Sequence, residues 1–150
     1  MRILNPLIFL SNMAVSPAFA AAACDTLAQT FGATLGTTVE RKSELFGNVF
    51  LHHPAASEFV IICGPGNKIG LSVALDGSPT ADYLHLSAIA GSLMIAAKDA
   101  DIEAKIALCL RVARKSDTKT SETHSAHIAI QCLSFAGDGG GNVVSLSPRD

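Results

Sequence analysis

The chain has 150 residues, with 11 Lys and Arg against 13 Asp and Glu for a net charge of −2, and its aromatics are seven Phe, one Tyr and no Trp. That mild, dispersed acidity excludes the basic footprint of a nucleic-acid binder, and so few aromatics leave little surface for stacking bases. Ala, Leu, Ile and Val supply the apolar mass, enough for a single core of ordinary domain size.

Residues 1–20 read as a secretory signal peptide. Arg2 supplies the positive start, residues 3–15 form a short apolar stretch, and Ala18-Phe19-Ala20 is an A-x-A cleavage site preceded by Pro17. The apolar part is shorter than the roughly 20 residues a bilayer crossing needs. The expected product is therefore one exported domain, residues 21–150, in the periplasm or outside the cell. Removal of Arg2 with the leader shifts its net charge from −2 to −3.

A second signal overlaps the first. Ala21-Ala22-Ala23-Cys24 places a cysteine where a bacterial lipoprotein is lipidated, although Ala21 stands where a branched aliphatic is usual. A lipid anchor at Cys24 is thus an alternative to a free domain, and one acyl chain alone holds a membrane weakly.

In chain order, residues 25–31 suggest a short helix capped by Asp25, with Leu27 and Phe31 on one face. Gly32 and Gly36 then weaken helix, and a loop is expected to about residue 46. Residues 49–53 and 58–63 are apolar runs joined by Pro54-Ala55-Ala56-Ser57, a hairpin in which Pro54 must end the first strand. After the turn cluster Gly64-Pro65-Gly66-Asn67, the residues Ile69, Leu71, Val73 and Leu75 alternate with Gly70, Ser72 and Ala74, the period of a half-buried strand. Three consecutive antiparallel strands follow from this.

Ser78 and Pro79 predict a helix start, with Ser78 as N-cap and Pro79 in the first turn. Tyr83, Leu86 and Ala90 keep helical spacing, and Gly91 is a candidate C-terminal cap before residues 93–97. Residues 101–112 carry two conflicting signals. Acidic residues early and arginines late suggest a helix, but Ile102, Ala104, Ile106, Leu108, Leu110 and Val112 alternate strictly. The charges Asp101, Glu103, Lys105 and Arg111 would scatter around a helix and share one side of a strand, so the pattern predicts a strand.

Residues 114–123 are polar and predict an exposed loop. Ala126, Ile128, Ile130 and Cys132 alternate as a further strand, and the glycine-rich segment 137–142 is a turn before the short run 143–146. The expected fold is α+β and β-rich: a small antiparallel sheet or an OB-like barrel of order β-β-β-α-β-β, behind a signal peptide and a short N-terminal helix. The barrel rests on element order alone.

Four cysteines, Cys24, Cys63, Cys109 and Cys132, have no C-x-x-C spacing, which speaks against zinc or thioredoxin-like chemistry and for two disulfides in an oxidising compartment. Cys63 shares the parity of Phe59 and Ile61, and Cys132 that of Ile128 and Ile130, so both should face the core. Cys109 falls on the charged side of its predicted strand. Those parities predict the pairs Cys63–Cys132 and Cys24–Cys109.

No motif specifies a chemistry. The histidines His52, His53, His85, His124 and His127 lack ligand spacing, no nucleophile elbow is present, and the glycine run precedes a strand rather than a helix, unlike a phosphate loop. No catalytic residue, metal site or cofactor is assigned. The expectation is a non-enzymatic exported module binding a protein or surface-glycan partner and no nucleic acid. Its rivals are a small secreted hydrolase or metal-dependent enzyme using His52, His53, Asp76, His124 or His127, and a lipid-anchored envelope component.

Overall fold

The computed structural model describes residues 17–66, 68–137 and 139–150; residues 1–16, and with them most of the leader-like segment, lie outside. The elements are α1 (Pro17–Leu35), β1 (Thr38–Lys42), β2 (Val49–His52), β3 (Glu58–Cys63), β4 (Ile69–Asp76), α2 (Ala81–Met94), α3 (Ile102–Lys115), β5 (Thr120–His124), β6 (Ile128–Ser134) and β7 (Gly141–Pro148). The seven strands form one antiparallel sheet in the order β1-β2-β3-β4-β7-β6-β5. The fold is α+β and β-rich, as the alternating segments predict. It is not a barrel: β1 and β5 are the two edges of an open sheet, with five strands between them and β4 at its centre.

Alternation decides what faces what. Leu71 and Val73 of β4 pair with Leu146 and Val144 of β7, and Ile61 and Phe59 of β3 lie opposite them on the other side. With Ile128 and Ile130 of β6 these residues make one fully buried apolar face. All three helices pack on it. From α1, Phe31 stacks on Phe59 with ring centroids 5.4 Å apart. In α2, the Tyr83 hydroxyl donates to the Val73 carbonyl at 2.8 Å, and Gly91 lies so close to the sheet that an added Cβ would stand 3.1 Å from Leu146 and 3.2 Å from Ile128. Each large side chain buried here contributes about 1.5–3 kcal/mol.

The segment predicted as a strand over 101–112 is the helix α3. Its buried residues are Ile102, Ile106, Cys109, Leu110 and Ala113, a stripe at spacings of four and three. Half of the alternating set, Ala104, Leu108 and Val112, is exposed. The alternation was real but Cys109 and Ala113, small and apolar, complete a helical face that it hides. Glu103 early and Arg114 and Lys115 late suit the helix dipole.

Other boundaries move for local reasons. The N-terminal helix is longer than residues 25–31, and Asp25 lies within it, paired with Lys42 of β1 at 2.6 Å, rather than capping it. It ends where Gly36 takes φ +72°, a left-handed conformation that favours glycine. Residues 38–42, expected in a loop, form the edge strand β1. The α2 cap is Thr80, whose hydroxyl accepts from the Tyr83 amide at 3.1 Å, in place of Ser78. Gly91 sits inside α2, where closeness to the sheet rather than capping explains it. The predicted loop 114–123 holds the end of α3 and most of β5.

The two disulfides are Cys24–Cys63 and Cys109–Cys132, which corrects both predicted pairs. Once 102–115 is a helix, Cys109 turns inward over the sheet face that carries Cys132, and the parity objection vanishes. Cys63 does face the helices, but the cysteine above it is Cys24 of α1. The Cys24 sulfur is bonded and fully buried, so it is not free to carry a lipid anchor. Among the described residues no helix is long and apolar enough to cross a membrane.

Candidate functional site

The polar residues singled out for chemistry stand apart. His52 is exposed at the end of β2, with Nδ1 3.6 Å from Glu40 of the neighbouring edge strand. Asp76 ends β4, where its amide donates to Ser57 Oγ at 3.0 Å. His124 and His127 flank the β5–β6 turn, and there it is their carbonyls that are engaged: His124 accepts from Lys105 Nζ at 3.0 Å, and His127 from the Arg149 amide at 2.8 Å. No group of three His, Cys, Asp or Glu among the described residues could hold a metal ion.

Two of that set enter clefts: His127 lines one of about 350 Å³ with Met94, Ile95 and Arg149, and His53 lines another. His53 lies with Asp82 and His85 around a hollow of about 350 Å³ between the end of α1, the β2–β3 turn and α2. The Ala55 amide donates to His53 Nδ1 at 3.1 Å, which leaves the proton of the neutral ring on Nε2. His85 Nδ1 is 3.1 Å from Glu103 Oε2, a geometry that orients the ring and keeps its Nε2 outward. A base and a donor are thus present, but the cleft's hydroxyl, Thr34, is hydrogen-bonded to neither ring. The His85–Glu103 pair, with side chains 66% and 47% exposed, is screened by water. The sequence reading missed Asp82 and Glu103 as neighbours of these histidines, Glu103 because α3 was read as a strand.

The feature that the alternating pattern builds without naming is the reverse face of the sheet. Parity puts Phe50, Val60, Ile62, Gly70, Ser72, Leu133, Val143 and Ser145 there, opposite the helices. Ile62 is exposed, and Phe50, Leu133 and Val143 are half-buried. Around Gly70 the face dips into a hollow of about 320 Å³ lined by Ile62, Gln131, Ser145 and Ser147. Gly70 makes the dip: a Cβ there would stand 3.3 Å from the Leu146 carbonyl. Beyond the sheet, the β1–β2 loop presents Leu45 and Phe46 at 87% and 71% exposure. Small residues between apolar ones in β4 and β7 were the available signal, visible only to a reading that asks what the solvent side of each strand carries.

No protein-family model matches the chain, and no curated protein or solved structure matches it.

Proposed function

We propose that this chain is an exported, non-enzymatic interaction module that engages a protein or surface-glycan partner through the reverse face of its sheet. The observation that carries the reading is the apolar hollow over Gly70, beside the exposed Ile62. Exposed apolar surface rimmed by polar groups is the usual character of an interaction site, and the two sheet edges offer unpaired backbone groups for strand addition. Support for export comes from the leader-like pattern of residues 1–20 and from two disulfides, which persist in oxidising compartments.

A protein fits this face better than a glycan. Sugar recognition leans on free aromatic faces, and the ring of Phe50 is already covered by the Arg41 guanidinium, 3.3 Å from its centroid. The test is photo-crosslinking in the native envelope or medium, with the reactive side chain placed at position 62 and, as control, at exposed position 104 on α3. Position 62 should yield a discrete adduct that is lost in a folded Ser145→Arg protein. Adducts that form equally from position 104, or that survive Ser145→Arg, reject the reverse face as the binding surface.

A further inference from the structure

On the opposite side of the molecule, α2 and α3 leave a groove between them. Its floor is Pro79 just before α2, Leu84 of α2, and Ala107 and Leu110 of α3, and its rim is Arg111, Arg114 and Lys115. The volume is about 270 Å³, near the lower end of small-molecule sites. Three cations within about one turn of α3 therefore border an apolar slot, in a chain whose net charge is negative.

The rim is not neutralised from within. No carboxylate lines the groove, and none of the three cations joins an ion pair among the described residues. Positions 111, 114 and 115 are neighbours on one helix face, so their like charges repel. Arg114 donates from Nε to Ser134 Oγ at 3.2 Å and from Nη2 to Asn142 Oδ1 at 3.4 Å. That holds its guanidinium in place and leaves further N–H groups for a ligand. Cations near a helix C-terminus suit the dipole, but the dipole does not account for an uncovered apolar floor beside them.

A ligand that satisfies both parts must carry an apolar chain and an anionic head. We propose that the α2–α3 groove binds one molecule of a single-chain anionic amphiphile, such as a fatty carboxylate, with its chain over Leu84, Ala107 and Leu110 and its head on Arg111, Arg114 and Lys115. The same chemistry occurs in free amphiphiles and in bilayer lipids. The groove commits to the free molecule, because a slot of this volume takes one chain and not a membrane surface.

The experiment is titration of the folded protein with dodecanoate below micellar concentrations, followed by calorimetry, with dodecyltrimethylammonium as the opposite-charge control. Saturable one-to-one binding of dodecanoate is expected, with the ammonium compound failing to compete. Each methylene removed from the seated part of the chain should weaken binding about fourfold. Ala107→Trp fills the slot and should abolish binding. The double substitution Arg111→Gln and Lys115→Gln should weaken it on the order of tenfold; Arg114 is left intact because it also ties α3 to the sheet. Circular dichroism of each variant confirms that it is folded. The proposal is overturned if dodecanoate does not bind, if a folded Ala107→Trp protein binds it unchanged, or if the ammonium compound binds equally well. Co-sedimentation with phosphatidylglycerol vesicles that dodecanoate cannot displace would also overturn it, in favour of a membrane surface.

Discussion

Asp99 sits where the connection between α2 and α3 meets the β5–β6 turn. It lies between α2 and α3, with Oδ1 accepting from the Asp101 amide at 3.2 Å and Oδ2 enclosed beside Ser125 of the β5–β6 turn. The Ser125 hydroxyl, then the Asp101 amide and the charges of Lys105 and His127, hold its carboxyl below the ordinary 3.8, against the opposing effect of burial. A folded-state value below the unfolded one means that ionised Asp99 favours the folded chain. Its contribution is complete above the ordinary value and disappears as pH falls through the lowered one. We expect Asp99→Asn to be less stable than the native chain near neutral pH, with the difference closing in strong acid. Urea unfolding of both proteins near pH 7 and near pH 2 measures this, and a gap that stays constant would show that Asp99 acts through shape alone. The neighbouring junction is built differently. Arg114, Ser134 and Asn142 hydrogen-bond one another, and Asn142 Nδ2 donates to the Gly77 carbonyl at 2.7 Å, so the end of α3 is tied to the turn after β4 without an acid–base pair.

At the scale of elements, the difference between α3 and the strand expected there decides the disulfides. On a helix, Cys109 joins Ile102, Ile106 and Ala113 in facing the sheet, directly over Cys132 of β6. The strands of the first half were legible because Leu71 and Val73 alternate with small residues and Pro54 and Gly64 mark their ends. The edge strand β1 was not, because Thr38, Glu40, Arg41 and Lys42 have no buried side and so no apolar period. The reverse face was equally hidden, its apolar residues being too few per strand to register. The bridges close spans of 39 and 23 residues, worth about 4 and about 3.4 kcal/mol in the chain-entropy account. Replacing Cys109 and Cys132 together by Ser should therefore cost about 3 kcal/mol in urea unfolding. Peptide mapping without reductant should recover 24–63 and 109–132 pairs; a 24–109 peptide would refute this arrangement of α1 and α3.

For the whole molecule, the consequence to be tested is how α1 meets the proposed cleavage site. The helix begins at Pro17, so cleavage after Ala20 would fall within its first turn. Later residues of α1 hold it to the domain: Cys24, Leu27, Ala28 and Phe31 are in the core, and Asp25 pairs with Lys42. A chain starting at Ala21 keeps every one of these contacts. It also places the new terminal ammonium at the positive end of the helix dipole, a small and salt-sensitive cost of about 0.3–1 kcal/mol. We therefore expect the exported protein to begin at Ala21, to carry both disulfides, and to unfold within a few degrees of a chain that retains residues 17–20. Intact mass spectrometry of material from the envelope or medium tests the first two points, and thermal unfolding tests the third. A diacylglyceryl group on Cys24 would break this account at its centre, since the same sulfur cannot also bond Cys63, and α1 would then have to be held to β3 without its covalent tie.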